Sequence, residues 1–190
     1  MAKKESTFSN MVLTLFLVTF LSSLSLGYVY EMTKNPIAQA KLSKKIKAIK
    51  EVTPEFDNNP IKEKFMISSD KGNLNCYPAK KNGILVATAI ETFTNQGFNG
   101  TIKLMVGFLP NGEIFNTAII EHKETPGLGD KMDKSKSNFS IQFKNKNPLT
   151  FNLAVKKDGG DVDAITAATI SSRAFCDAIK RAYLSYKEAN

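Results

Sequence analysis

The sequence predicts an α+β domain behind one apolar span, and three patterns support this reading. Residues 6–30 contain no charged side chain. In the middle of the chain, apolar and polar residues alternate with the two-residue period of strands. The chain closes on a long helical pattern. Strand signals are thus grouped together, with helices set apart at the ends of the domain.

The apolar span, residues 11–30, is long enough for a bilayer core, which needs about 20 residues. Tyr28 and Tyr30 close it with rings suited to the headgroup level. A cleaved signal peptide is the competing reading. Its required small-residue site could be Ala38-Gln39-Ala40, but that tripeptide lies past Pro36 and well beyond the apolar run. An uncleaved anchor in membrane lipid is therefore expected. Its direction is left open by charge, because Lys3 and Lys4 precede the span while Lys34, Lys41, Lys44 and Lys45 follow it.

Residues 36–52 place Leu42, Ile46 and Ile49 on one stripe, which predicts an amphipathic helix starting at Pro36. Residues 53–60, with two prolines and Asn58-Asn59, read as a linker. Residues 83–90 are short, apolar and β-branched, as a strand should be. Ile102, Leu104, Val106 and Phe108 alternate with Lys103, Met105 and Gly107, which predicts a half-buried strand. Pro110-Asn111-Gly112 is a turn, and residues 114–121 return as its partner strand. A helix is expected near 136–144 and a further strand at 151–155. Residues 169–187 form the closing helix, with Ile170, Ala174, Ala178 and Ala182 on one stripe and Phe175, Ile179, Tyr183 and Tyr186 beside it.

The net charge of +8 invites a nucleic-acid partner. The lysines are scattered, however, and no zinc-finger spacing, RNA-binding aromatic motif or arginine-rich arm accompanies them, so no nucleic acid is expected. Cys76 and Cys176 stand a hundred positions apart and form no metal-type pair, so no metal site is expected. A disulfide between them is permitted outside the cytoplasm; two buried apolar thiols serve equally well.

Two motifs carry chemistry. The first is His122-Lys123-Glu124-Thr125-Pro126-Gly127-Leu128-Gly129, after a strand. Pro126-Gly127 makes a tight turn, and Gly129 lets backbone approach a ligand. Taken alone it is a turn whose N–H groups could bind an anion or a ring carbonyl. The second is Asp163-Ala164-Ile165-Thr166-Ala167-Ala168-Thr169-Ile170-Ser171-Ser172-Arg173. Its four hydroxyls stand where the last helix opens, facing unpaired N–H groups and the positive end of the helix dipole. It reads either as a phosphate site or as a set of helix caps.

The run Asp163-x-x-Thr166-Ala167-Ala168-Thr169 resembles the flavinylation motif of the FMN-binding domain shared by the Rnf and Na⁺-translocating NADH:quinone reductase complexes. Residues 97–107 and the His122 to Gly129 segment resemble the same domain in the same order. The likeness covers most of the chain. Its short length is more similar to the G subunit of the Rnf complex than to the longer C subunit of the quinone reductase. Two departures are visible: the family usually has Gly where this chain has Ala167, and a tryptophan often found after the Gly-Leu-Gly turn is absent, which implies a repacked wall near the flavin.

The resemblance implies a membrane-anchored electron-transfer subunit of a ferredoxin:NAD oxidoreductase complex that pumps ions. It implies FMN held covalently on Thr169 through a phosphoester, made by a flavin transferase that uses FAD. Asp163, Thr166 and Ala168 would belong to that site, and Glu124, Thr125, Gly127, Leu128 and Gly129 would meet the isoalloxazine ring. Other integral and peripheral subunits would be its partners. The implied layout is a short cytoplasmic stretch at 1–10, the anchor at 11–30, helix and linker at 31–60, and an extracytoplasmic domain at 61–190 on the periplasmic side of the inner membrane. No catalytic residue is needed, since the flavin does the redox chemistry, and His122 need not be catalytic, a lone histidine in a turn being more often structural. Two further readings stay open: an anchored FMN domain serving another redox or regulatory system, and a flavin-free scaffold subunit.

Overall fold

The computed structural model describes residues 7–189. The chain divides into two compact units, Met1–Ser43 and Lys44–Asn190. Helix α1 (Phe8–Val52) supplies the described part of the first unit and opens the second.

In the first unit every residue from Met11 to Ser43 is exposed, including Leu13, Phe16, Leu17, Phe20 and Leu21. From Met11 to Tyr30 this exposed surface carries no charge and is mostly apolar, which is unfavourable in water and suits lipid. Helix α1 is the one helix among the described residues long and apolar enough to cross a membrane. Pro36, expected to open a second helix, lies inside α1. The ring removes one N–H donor, while Ala38, Gln39 and Ala40 are good helix formers that carry the helix on.

The second unit is an α+β fold, as the patterns predict. Its sheet runs in the order β1 (Phe65–Ile67), β2 (Leu74–Lys81), β3 (Ile84–Gly97), β4 (Gly100–Phe108), β5 (Ile114–Glu121), every neighbour antiparallel. Helix α2 (Thr169–Ala189) covers one face. There Leu104, Val106 and Phe108 meet Phe175, Ile179 and Tyr183 in the main core. The end of α1 covers the other face, where Ala48, Ile49 and Val52 pack with Tyr77, Ala89 and Met105. Lys45 reinforces that contact, reaching Glu91 at 2.9 Å.

This second layer corrects two expectations. Strand β4 is not half-buried: all residues from Leu104 to Phe108 are buried, because both faces are covered. Gly107 fits there only as glycine, since a Cβ would collide with the Val52 carbonyl oxygen. Of the stripe Leu42, Ile46 and Ile49, only Ile49 is buried, as only the last turns of α1 reach the sheet.

Other elements also differ. The helix expected at 136–144 is a 3₁₀ turn, Phe139–Phe143. Residues 151–155 form no strand beyond a single bridge, Val155 to Val162. That segment curls on itself, with the Asn152 N–H donating to Asp161 Oδ2 at 2.7 Å and the Val162 N–H to Ala154 O at 3.0 Å. Strands β1 and β2 are not anticipated by the sequence patterns. β2 and β3 are joined by Asn82-Gly83, both at positive φ (53° and 79°), the geometry of a two-residue hairpin turn. Cys76 and Cys176 are free and buried.

Candidate functional site

Antiparallel pairing brings three distant segments to one end of the sheet. The β3–β4 hairpin turns at Phe98-Asn99, between the paired Gly97 and Gly100. Strand β5 ends at that same end, because Lys103 near the start of β4 pairs with Glu121. The segment from His122 to Gly129 therefore leaves the sheet beside the hairpin tip. Helix α2, lying across β3 and β4, presents its first turn there as well.

Glu124 joins the three. It is 5% exposed. Its Oε1 accepts the Asn99 N–H at 3.0 Å, and its Oε2 accepts the Ser171 hydroxyl from the first turn of α2. The buried carboxylate is thus partnered on both oxygens, the condition for keeping such a group inside. Thr125 Oγ1 accepts the Asn99 side-chain amide at 3.2 Å. His122 Nδ1 accepts the Glu124 N–H at 3.1 Å, which gives His122 a structural role in shaping the loop.

Gly129, expected to let backbone approach a ligand, also has a packing reason to be glycine. A Cβ there would lie 2.5 Å from Glu124 Oε2 and 2.6 Å from the Ser171 hydroxyl, so the glycine makes room for the Glu124–Ser171 contact.

The second motif forms a turn and then the helix. The Ala168 N–H donates to Ile165 O at 3.0 Å, closing a turn around Thr166 and Ala167. Ala167 takes φ +60°, a left-handed conformation that favours glycine. Ser172 locks the turn: its hydroxyl accepts the Ile165 N–H at 2.9 Å and donates to Ala168 O at 3.0 Å. Ser171 and Ser172 are therefore committed elsewhere and do not cap α2. The first helical bond runs from the Ser172 N–H to Ala168 O at 3.0 Å. The N–H groups of Thr169, Ile170 and Ser171 precede it and stand free of the helical ladder. Among the described residues no hydrogen-bond partner is recorded for the Thr169 hydroxyl. Arg173, also in the first turn, binds Asp158 through two bonds of 2.6 and 2.7 Å. That pairing holds the Asp158 carboxyl below the usual carboxylate range.

A cleft of about 320 Å³ lies between these segments. Glu124, Thr125, Leu128, Gly129, Ala168 and Thr169 all line it, so the two motifs share one cavity. Three residues named with them stand outside its lining. Gly127 and Thr166 are exposed on their turns, and Asp163 is exposed in an ion pair with Lys156 at 2.8 Å. The structure adds Phe98, Ala167, Ile170 and Ser171. Ile170, expected on the core stripe of α2, is exposed and forms part of the wall. A groove of about 740 Å³ elsewhere is larger, but neither motif lines it.

The cleft suits a flavin mononucleotide in size and chemistry. Its volume falls in the range of small-molecule sites, about 300–1,000 Å³. Phe98, Leu128 and Ile170 offer apolar walls for a ring system, while the opening turn of α2 offers N–H donors and a positive dipole end for a phosphate. Residues 97–184, which include every residue of the cleft, match the protein family described as FMN-binding domain. The class is thus an FMN-binding domain preceded by an apolar helix.

Relatives narrow this further. The G subunit of the ion-translocating oxidoreductase complex of Haemophilus influenzae strain PittEE is 38% identical over 176 residues, which cover 89% of this chain and 84% of that protein. The G subunit from Erwinia tasmaniensis is 40% identical over 154 residues, covering 77% and 73%. That of Vibrio cholerae serotype O1 is 35% identical over 162 residues, covering 80% and 78%. This chain belongs to the family of ion-translocating oxidoreductase complex G subunits.

Proposed function

We propose that the chain is the FMN-carrying electron-transfer subunit of an ion-translocating ferredoxin:NAD oxidoreductase, anchored by α1, with its domain outside the cytoplasm and FMN joined to Thr169 as a phosphoester. The observation that carries this reading is the shared cleft: Thr169, whose hydroxyl has no partner among the described residues, opens α2 and lines the same cleft as Glu124, Thr125, Leu128 and Gly129. The family of G subunits supports the assembly and its redox role.

In this reading the protein supplies a tether and an environment. A flavin transferase would join the Thr169 oxygen to the FMN phosphorus of FAD, the pyrophosphate P–O bond breaking so that AMP leaves and the hydroxyl proton passes to solvent. The free N–H groups at the start of α2 would hold the phosphate. Phe98, Leu128 and Ile170 would flank the ring and limit water around it. Glu124 fixes the loop against α2 through its two hydrogen bonds. The bound flavin supplies one-electron transfer. Asp163 and Thr166, exposed and outside the lining of the cleft, would be read by the transferase in this reading.

Intact mass and peptide mapping test the attachment. The wild-type chain from its native membrane should carry one FMN on the peptide containing Thr169, and Thr169→Ala should carry none while remaining folded. FMN mapped to another residue, or none on the wild type, would refute the assignment. Protease added outside intact spheroplasts should digest the domain, and full protection would reverse its orientation.

A further inference from the structure

Strand β5 is the last strand of the sheet, and its outer edge is paired at one end. The Ile114 N–H donates to Lys146 O at 2.9 Å, and the Asn145 N–H to Ile114 O at 2.7 Å. From Asn116 to Ile120, no described backbone segment pairs with that edge. An edge strand leaves alternate N–H and C=O groups without partners.

The 740 Å³ groove follows this open stretch. Thr117, Ala118 and Ile119 line it. Ala118 packs toward the α1 side of the sheet and Ile119 toward the α2 side, so the groove wraps around the edge itself. Thr117 is 1% exposed, and its hydroxyl has no partner among the described residues. The walls carry Lys44, Lys47, Lys50 and Lys134, none recorded in an ion pair among the described residues. Two carboxylates, Glu51 and Asp133, also line it, and Asp133 Oδ1 already accepts the Ser135 N–H at 2.8 Å. Four lysines against two carboxylates leave the groove positive.

We propose that the β5 edge is a strand-addition site for an extended, acidic segment of another protein chain. A second backbone can pair with a whole row of such N–H and C=O groups at once, and strand addition is a recurring mode of peptide recognition. The lysines select for acidic side chains on the incoming strand. They flank the strand and do not interrupt it: β5 itself, Ile-Phe-Asn-Thr-Ala-Ile-Ile-Glu, contains none of the lysines or prolines that usually blunt an exposed edge. This inference rests on reading the chain as one member of a larger assembly.

The test compares the full chain alone in detergent with the full chain purified together with its native membrane partners. Backbone hydrogen exchange at residues 116–120 should be at least about tenfold slower in the assembly. The double variant Lys47→Glu/Lys134→Glu should lose its co-purifying partners while keeping wild-type flavin content and thermal midpoint. Unchanged exchange at 116–120 in an intact assembly, or wild-type partner recovery by the double variant, overturns the strand-addition site and leaves the assembly reading standing. Inorganic phosphate or ATP alone protecting 116–120 in the isolated chain reassigns the groove to a small anion and overturns it too. A wild-type chain that purifies alone overturns both readings.

Discussion

The Ser171 hydroxyl, in the first turn of α2, donates to the carboxylate of Glu124, 47 positions earlier in the loop after β5. Both residues are nearly fully buried, and the contact pins the two halves of the cleft to each other. Ser171→Ala should therefore cost more than a surface hydroxyl. It leaves one oxygen of a buried carboxylate without its donor, a loss of about 1–3 kcal/mol. Gly129→Ala attacks the same contact by crowding it, with a comparable cost of about 1–3 kcal/mol. Urea denaturation of both variants checks this, and a midpoint equal to wild type in both would show that the contact is dispensable.

The Ala167 turn should yield to the opposite change. An L-residue in the left-handed region carries roughly 1–2 kcal/mol of strain. Glycine relieves it but brings about 0.5–1 kcal/mol of extra backbone entropy to lose on folding. Ala167→Gly is therefore expected to raise stability by about 0.5–1 kcal/mol. Flavin attachment at Thr169 should be unaffected, as the turn geometry is already correct. A lower thermal midpoint would contradict the strain argument.

The turn and Ala167 also illustrate what the sequence makes legible. The closing helix, the β4–β5 hairpin and both motifs can be read because each is local: periodicity, a turn tripeptide or contiguous hydroxyls. The contact between Glu124 and Ser171 has no local signature, and neither does the arrival of Phe98 at the same cleft, since antiparallel pairing creates both. Strand β2 is hidden by Pro78, a residue that argues against a strand. Pro78 is tolerated because β1 pairs only as far as Cys76, so β2 is an edge at that point. The Asn82-Gly83 turn is the available signal for that hairpin. Burial of both faces of β4 is illegible for a different reason: the covering helix end is far away in the chain, and Leu42 and Ile46 suggest a longer contact than the one it makes.

Cys76 and Cys176 give a pH-dependent prediction. Burial pushes both thiols from the ordinary 9.0 up to about 12. Above 9.0 the unfolded chain therefore releases thiol protons that the folded chain retains. Their contribution is present below that value and is lost as pH rises toward about 12. Burial and the neighbouring Glu91 raise Tyr77 in the same direction. Urea stability of the wild type should consequently decline more steeply on the alkaline side than that of Cys76→Ala/Cys176→Ala, each measured against its own neutral value. At neutral pH both thiols should resist alkylation until the chain is denatured. Parallel alkaline slopes, together with rapid alkylation of the folded protein, would show that the thiols are not buried in solution.

Phe98 tests whether a residue is a wall of the proposed cofactor site or a strut of the fold. It sits at the tip of the β3–β4 hairpin, 65% exposed, yet it lines the cleft opposite Thr169 and Ile170. An aromatic ring held that far into water contributes little to the core, so Phe98→Ala should leave urea stability within about 0.5 kcal/mol of wild type, as surface substitutions do. The attachment should also survive, because the Thr169 oxygen and the free N–H groups of α2 are untouched. What should change is the environment of the flavin ring. Losing the wall admits water on one side, shifting the visible absorbance and the midpoint potential of the bound flavin and raising its exposure to a soluble quencher. Leu128→Ala, on the facing loop, should act in the same direction. The two substitutions touch different segments of one wall, so their effects on the potential should be coupled and not simply additive. If both variants keep the wild-type spectrum, potential and quenching, the ring lies outside the cleft, and Thr169 tethers a flavin that the loop from Glu124 to Gly129 does not contact.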